Sequence, residues 1–453
     1  MRKNLTEGPE WKAILLFSLP IMAGQLLQQL YNTADGIVVG NYVSAEALAA
    51  VGSCGSVAFL FLALAFGMSN GSGVVIAQFF GARREEELRR TAATALITLG
   101  ALGVLLSVLG FVSAEFLMSY VLKVEDPSVH AQCVSYFRIY AVGLMFQFLY
   151  NAVAAILRSL GDSKASLYFL LVSALGNIVL DILLVAVIPW GVAGAALATV
   201  ISQAACTLVS VIYMRRRYPL LRFRRKELVF DKEKFLLCLR MGIPTSVQQL
   251  VISGGNVLLQ RLVNSFGPAV MAAYTAGNRF DFYVTIPVMG FFNGMAAFAG
   301  QNTGAGKPER IRRGLGSVLL MDVVTVAALG SLTYTFAPAL ARLFGVEGDV
   351  LDKAVELMRF MSFLFPLFAL YIPFNGMFQG CGDAVHAMIV SLIALSLKVV
   401  GAYGMVYLFG FGYAATWQSN IIGWGGACVF SIAYYFSGRW KRYGLVKAEN
   451  GGA

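Results

Sequence analysis

Gln25, Gln28, Asn32 and Asp35 follow one another at intervals of three, four and three residues inside a run that is otherwise apolar. On an α-helix that spacing aligns the four as one polar stripe, while Leu26, Leu27, Leu30 and Val38 fall mostly elsewhere. A second acid, Asp181, stands one turn from Asn177 in another apolar run, and Thr199 lies in the next. Two carboxylates with amide and hydroxyl oxygens are hard donors suited to Na⁺. The same two acids, if close, could instead share a proton, because adjacent like charges disfavour double ionisation. An acid at the centre of a bilayer costs about 2.5 to 3.5 kcal/mol on insertion scales. Such a residue is therefore read first as functional, and second as a buried hydrogen bond between helices.

That these runs cross a membrane follows from the whole chain. Its 453 residues are 58% hydrophobic and only 13% charged, with a mean hydropathy of +0.71, whereas about a quarter of the residues in soluble proteins are charged. Apolar stretches long enough to cross a ~30 Å hydrocarbon core as helices recur from end to end. Twelve are expected, over 12–39, 46–79, 91–113, 131–157, 165–188, 192–214, 235–263, 269–299, 312–337, 351–379, 385–409 and 413–437. The first is too long for a signal-peptide core and continues into Asp35 and Asn41 without a cleavage pattern, so it is read as a retained helix.

Lys and Arg mark the cytoplasmic side. With the N-terminus inside, the inside segments hold the large majority of the 35 Lys and Arg, while the outside segments hold Lys123, Arg342 and Lys353. Both termini are therefore expected in the cytoplasm of a multi-pass protein of a bacterial cell membrane. The +11 net charge is a topology signal, and RRRYPLLRFRRKE is a solvated loop at the anionic inner leaflet rather than a nucleic-acid contact. The six cysteines show neither disulfide nor metal-site spacing, and His130 and His386 stand alone near span ends. No GxxxxGK[ST], GxSxG or HExxH occurs. No enzyme activity and no cofactor beyond a coupling ion are expected.

The chain repeats itself. LPIMAGQLLQQL, with Pro20, recurs as IPTSVQQLVISG, with Pro244, and QFFGARREEELRR recurs as QNTGAGKPERIRR, at a spacing of 223 to 224 residues. Further on, Gly161-Asp162 matches Gly382-Asp383 and WGVAGAALAT matches FGYAATWQSN, with the offset drifting to 221. Six spans per half is an even number, so both halves enter from the same side as parallel repeats. The expected fold is all-α integral membrane, with twelve transmembrane helices in two parallel six-helix bundles about a pseudo-twofold axis along the membrane normal. The N-lobe is expected at 1–214, a basic cytoplasmic linker at 215–234, the C-lobe at 235–440 and a cytoplasmic tail at 441–453.

LYNTADGIVVG with ALAAVG following, the GAR end of span two, LRSLGDS, and GNIVLD with GAALAT resemble the multidrug and toxic compound extrusion (MATE) family over essentially the whole chain, duplication included. The resemblance implies an efflux antiporter that exports amphipathic, often cationic, compounds against Na⁺ or H⁺ entry by alternating access. It also implies that Asp35, Asn177, Asp181 and Thr199 form the coupling site, with Tyr136 near it. Gln28 and Asn32 belong to that site or to its cavity. Pro20 is implied as a hinge in the first span, where a proline removes a backbone hydrogen bond. The alternative function is a flippase for lipid-linked sugars of the same superfamily.

The second half departs from one family variant: its candidate acid positions read Gln248, Gln249 and Asn375. It has instead Lys398, aligned with Asn177, whose partner is expected to be an acid such as Asp322 or Glu356 if it is not structural. Arg279 and Asp281 are two residues apart and so face different ways. Aromatics at 13% and 16 Met suit an adaptable cavity for a small amphipathic or cationic substrate in a monomer.

Overall fold

Every predicted apolar run is helical in the computed structural model, which describes residues 4–122, 124, 126–224, 227–343 and 345–446. Lys123, two basic residues of the linker and the end of the 441–453 tail lie outside the described residues. The first repeat contains α1 (Glu10–Tyr42), α2 (Ala45–Gly81), α3 (Glu85–Phe116), α4 (Pro127–Ser159), α5 (Ser163–Asp181) and α6 (Gly191–Arg217). The second contains α7 (Lys232–Asn264), α8 (Pro268–Gly304), α9 (Pro308–Arg342), α10 (Gly348–Gly380), α11 (Ala384–Tyr407), α12 (Ala415–Gln418) and α13 (Asn420–Phe436). Eleven described helices are long and apolar enough to cross a membrane. The twelfth expected span, 413–437, is α12 and α13, parted at Ser419. The chain is an all-α integral membrane protein.

Local chemistry sets the helix ends in the same way in both repeats. Gly161 and Gly382 take φ of +86° and +96°, open to glycine without steric cost, and so close α4 and α10. The next residues, Asp162 and Asp383, cap α5 and α11 by accepting the backbone N–H of Ala165 and His386. Burial and the neighbouring Asp162 carboxylate hold the Tyr218 hydroxyl above the usual tyrosine range. After Asp181 the backbone widens into a π-helical turn over Ile182–Val187, a departure that often marks functional positions.

The chain divides into two compact units, and they do not coincide with the ranges 1–214 and 235–440. One comprises Ala23–Ser246; the other joins Asn4–Met22 to the chain from Val247 onward. Both boundaries fall inside continuous helices, α1 and α7, two residues beyond Pro20 and Pro244. The reason is close helix packing at glycines. In the first unit Gly67 and Gly71 of α2 leave no room for a side chain, because the α7 backbone at Ser246 and Gly242 lies against them. In the second, Gly290 and Gly294 of α8 receive the side chains of Met22 and Ser18 of α1. These two small-xxx-small stripes are 223 residues apart, and each seats the leading half of the other repeat's first helix. Ion pairs reinforce the seating, Lys234 with Glu87 in one unit and Glu10 with Arg310 in the other.

Each unit has its own core. Val39, Cys54, Phe137, Val185 and Ala196 belong to that of the first, and Phe17, Phe298, Phe365, Met377 and Trp417 to that of the second.

Candidate functional site

In the first unit α1, α5 and α6 bring the sequence-predicted residues together. Asn177, Asp181 and Thr199 are all buried. Oriented so that oxygen and nitrogen both meet a partner, the Asn177 amide donates to Asp181 Oδ2 at 2.6 Å and accepts from the Thr199 backbone N–H at 3.2 Å. The Thr199 hydroxyl donates to Ala195 O at 3.1 Å. Asp35 reaches this group from α1, with its carboxyl within hydrogen-bonding reach of that of Asp181. Two carboxylates only accept, so a hydrogen bond between them would need an O–H on one of the pair. Each acid keeps its Oδ1 buried and without a partner.

Tyrosines wall the acids. Tyr136 on α4 is buried, lies within electrostatic reach of Asp35 and stacks on Tyr140, with ring centroids 6.1 Å apart and 13° between planes. Tyr31 lies one turn before Asp35, with Thr199 close to its hydroxyl. Sequence reasoning missed Tyr31 and Tyr140. The signal was available, since 31 and 35, like 136 and 140, share a helix face. Gln28 and Asn32, expected with the acids, are exposed and do not join this hydrogen-bonded group.

Chemically, the cluster is a buried carboxyl pair with amide, hydroxyl and phenol neighbours. It can hold a proton between the two acids. If Na⁺ were held, Asp35, Asp181, Asn177 and Thr199 would supply its oxygens, and the two unpartnered Oδ1 atoms are those free to do so.

The second unit is different. Gln248 and Asn375 both donate to the Ser391 hydroxyl, at 2.6 and 2.8 Å, forming a neutral cluster. Lys398 lies within the field of Asp281 on α8, an acid that sequence reasoning did not name beside it. Glu356 accepts from Tyr413 at 3.0 Å instead. Asp322 is fully buried, with both oxygens unpartnered. Helical spacing along one span cannot show which acid on a different helix faces a lysine.

A family profile described as MatE matches residues 20–183 and again residues 244–404, beginning at Pro20 and at Pro244. The chain belongs to the MatE family. Its relatives align over almost the full length. The "Probable multidrug resistance protein YpnP" of Bacillus subtilis is 29% identical over 445 residues, covering 97% of each chain. The "Multidrug export protein MepA" of Staphylococcus aureus is 22% identical, covering 89% of each. Among solved structures, an outward-facing conformation of a multidrug resistance MATE family transporter superposes with a TM-score of 0.89 at 26% identity, over 97% of each chain. A MATE structure described as being in the bent conformation gives 0.88 at 26%, over 96% of each. The double match to MatE agrees with the internal duplication, and the helical architecture agrees with these structures.

Proposed function

We propose that this MatE protein is a secondary antiporter that exports small amphipathic, cationic compounds in exchange for protons, with Asp35 and Asp181 carrying the coupling charge. What supports this reading is the placement of two carboxyls, Asp35 and Asp181, within reach of each other beside buried amide and hydroxyl groups, an arrangement suited to gain and lose one proton. The likeness to a probable multidrug resistance protein and a multidrug export protein supports the substrate class. One charge entering down 100 mV releases roughly 2.3 kcal/mol, enough for about a forty-fold gradient of an uncharged solute, whereas a monovalent cation exchanged one for one moves no net charge and is driven by the proton concentration gradient. Asn177 orients Asp181 and is itself held by the Thr199 N–H, and Tyr31 of α1 stands beside Thr199 of α6. Pro20 serves as the hinge of α1. Both termini lie in the cytoplasm, as the placement of Lys and Arg requires.

The test is export of a cationic dye by purified protein in proteoliposomes under an imposed proton gradient, and separately under an imposed Na⁺ gradient. Proton-driven export that collapses in Asp35→Asn and in Asp181→Asn is the expected result. Export driven by Na⁺ alone would reassign the coupling ion to the same four residues. Unchanged export in both variants would remove the acids from the mechanism.

A further inference from the structure

The six cysteines are scattered along the sequence, yet folding brings two of them and a methionine together in the first unit. Cys54 lies on α2, Cys133 on α4, and Met118 in the π-helical turn Leu117–Val121 that follows α3. All three are fully buried and belong to one apolar core. The Cys54 thiol stands 3.9 Å from Met118 Sδ and within hydrogen-bonding reach of the Cys133 thiol. Each cysteine also reaches the other's helix, Cys54 Sγ donating to Cys133 O at 3.4 Å and Cys133 Sγ to Ala50 O at 3.8 Å. Neither is in a disulfide.

Packing alone does not ask for sulfur at these places. At the repeat offsets of 223 and 221 residues the second unit has Gly277, Ala341 and Ala354, and both alanines are fully buried as well. The sulfur triad therefore belongs to the first unit only. Its spacing suits a shared ligand, because at a metal–sulfur bond of about 2.3 Å the sulfurs around one trigonal ion stand about 4 Å apart. Two thiols and a thioether inside an apolar core are soft donors, which suit Cu⁺ or its analogue Ag⁺ rather than a hard, hydrated cation. Zn²⁺ would ask for a fourth ligand.

We propose that Cys54, Met118 and Cys133 form a soft-metal site for Cu⁺ or Ag⁺, which clasps α2, α4 and the turn after α3 together. On binding, one thiol passes its proton to water as its sulfur takes the metal, so a thiolate offsets the single charge of the ion and the buried site stays neutral. Cys133 sits less than two turns into α4, which makes the route in from that helix end short. The site uses none of the four residues proposed for coupling and does not depend on which ion drives export.

Competition for Cu⁺ against bicinchoninate, whose Cu⁺ complex absorbs visible light, tests it on the purified full-length protein in detergent, with protein and metal kept reduced. The wild type should withdraw about one equivalent from the chelator. Cys54→Ser and Cys133→Ser should each weaken binding about a hundredfold, and Met118→Leu, which keeps the volume, about tenfold. Cys206→Ser and Cys428→Ser, which alter thiols elsewhere, should bind like wild type. No withdrawal by the wild type, or withdrawal unchanged in both Cys54→Ser and Cys133→Ser, overturns the site. Should the serine variants fail to fold, X-ray absorption of the Cu⁺-loaded wild type decides. Three sulfurs at about 2.3 Å support the assignment; nitrogen, oxygen or only two sulfurs around the metal reject it.

Discussion

The hydroxyl of Tyr213 donates to Asp162 Oδ2 at 2.9 Å, tying the end of α6 to the turn that starts α5. Tyr218 donates to the same oxygen at 2.9 Å, and in the second repeat Tyr434 does the same to Asp383. Each aspartate thus uses one oxygen to cap a helix and the other to hold a tyrosine. Asp162→Ala should lower thermal stability by several degrees. The cap is worth about 0.5 to 2 kcal/mol, and tyrosine hydroxyls left without an acceptor cost about 1 to 3 kcal/mol more. Asp162→Asn keeps an acceptor oxygen and should lose less. A melting curve of the detergent-solubilised protein reads both.

Around the acid pair, the neutral neighbours should matter less than the charges. Tyr31→Phe removes the hydroxyl that reaches Thr199 while keeping the ring. It should slow gradient-driven export a few-fold, about 1 kcal/mol, in line with loss of one neutral hydrogen bond. Asn177→Ala deprives both Asp181 and the Thr199 N–H of a partner and should slow export more. Initial rates in proteoliposomes, compared with Asp35→Asn, order the three.

Pro20→Ala restores a backbone N–H inside α1 and should leave insertion and melting temperature near wild type while slowing export. Wild-type export with a wild-type melting curve would reduce Pro20 to a static feature of the helix.

Glu227 in the linker accepts the Arg224 backbone N–H at 2.7 Å and pairs with Arg89 at 2.6 Å. These contacts hold its carboxyl below the usual glutamate value. Stability from a depressed carboxyl is present above the unfolded value and is lost as pH falls through the folded one. The melting temperature of the wild type should therefore decline more steeply than that of Glu227→Gln on going from about pH 5 to about pH 3.

Much of the architecture was legible because its signal is local. Twenty-residue apolar runs and the 3-4-3 spacing before Asp35 each report on a single helix, and the recurrence of Gly161-Asp162 as Gly382-Asp383 reports on the duplication. Asp35, Asn177, Asp181 and Thr199, proposed here to couple transport, are implied together by the family resemblance, and the structure brings them close to one another. What escaped depends on contacts between helices distant in sequence. Pro20 and Pro244 stand two residues before the boundaries, but α1 and α7 run on through them without a break, so neither helix alone shows that a unit ends there. The division is set by Gly67 and Gly71 on α2 and by Gly290 and Gly294 on α8. Likewise Lys398 and Asp281 lie on helices that are not consecutive, so no periodicity links them.

The exchange of leading half-helices also governs how the chain can be made. The first unit needs Gly242 and Ser246 to cover the α2 stripe, so it stays unfinished when α6 leaves the translocation machinery and closes only after the start of α7 has been synthesised. The residues before Ala23, by contrast, are delivered first and must wait for α8 before they find their seat. A ribosome stalled in the linker would leave one fragment with an open groove on α2 and an unseated N-terminal half-helix. The missing counterparts lie in the unmade remainder, so two such fragments supplied separately are complementary by construction.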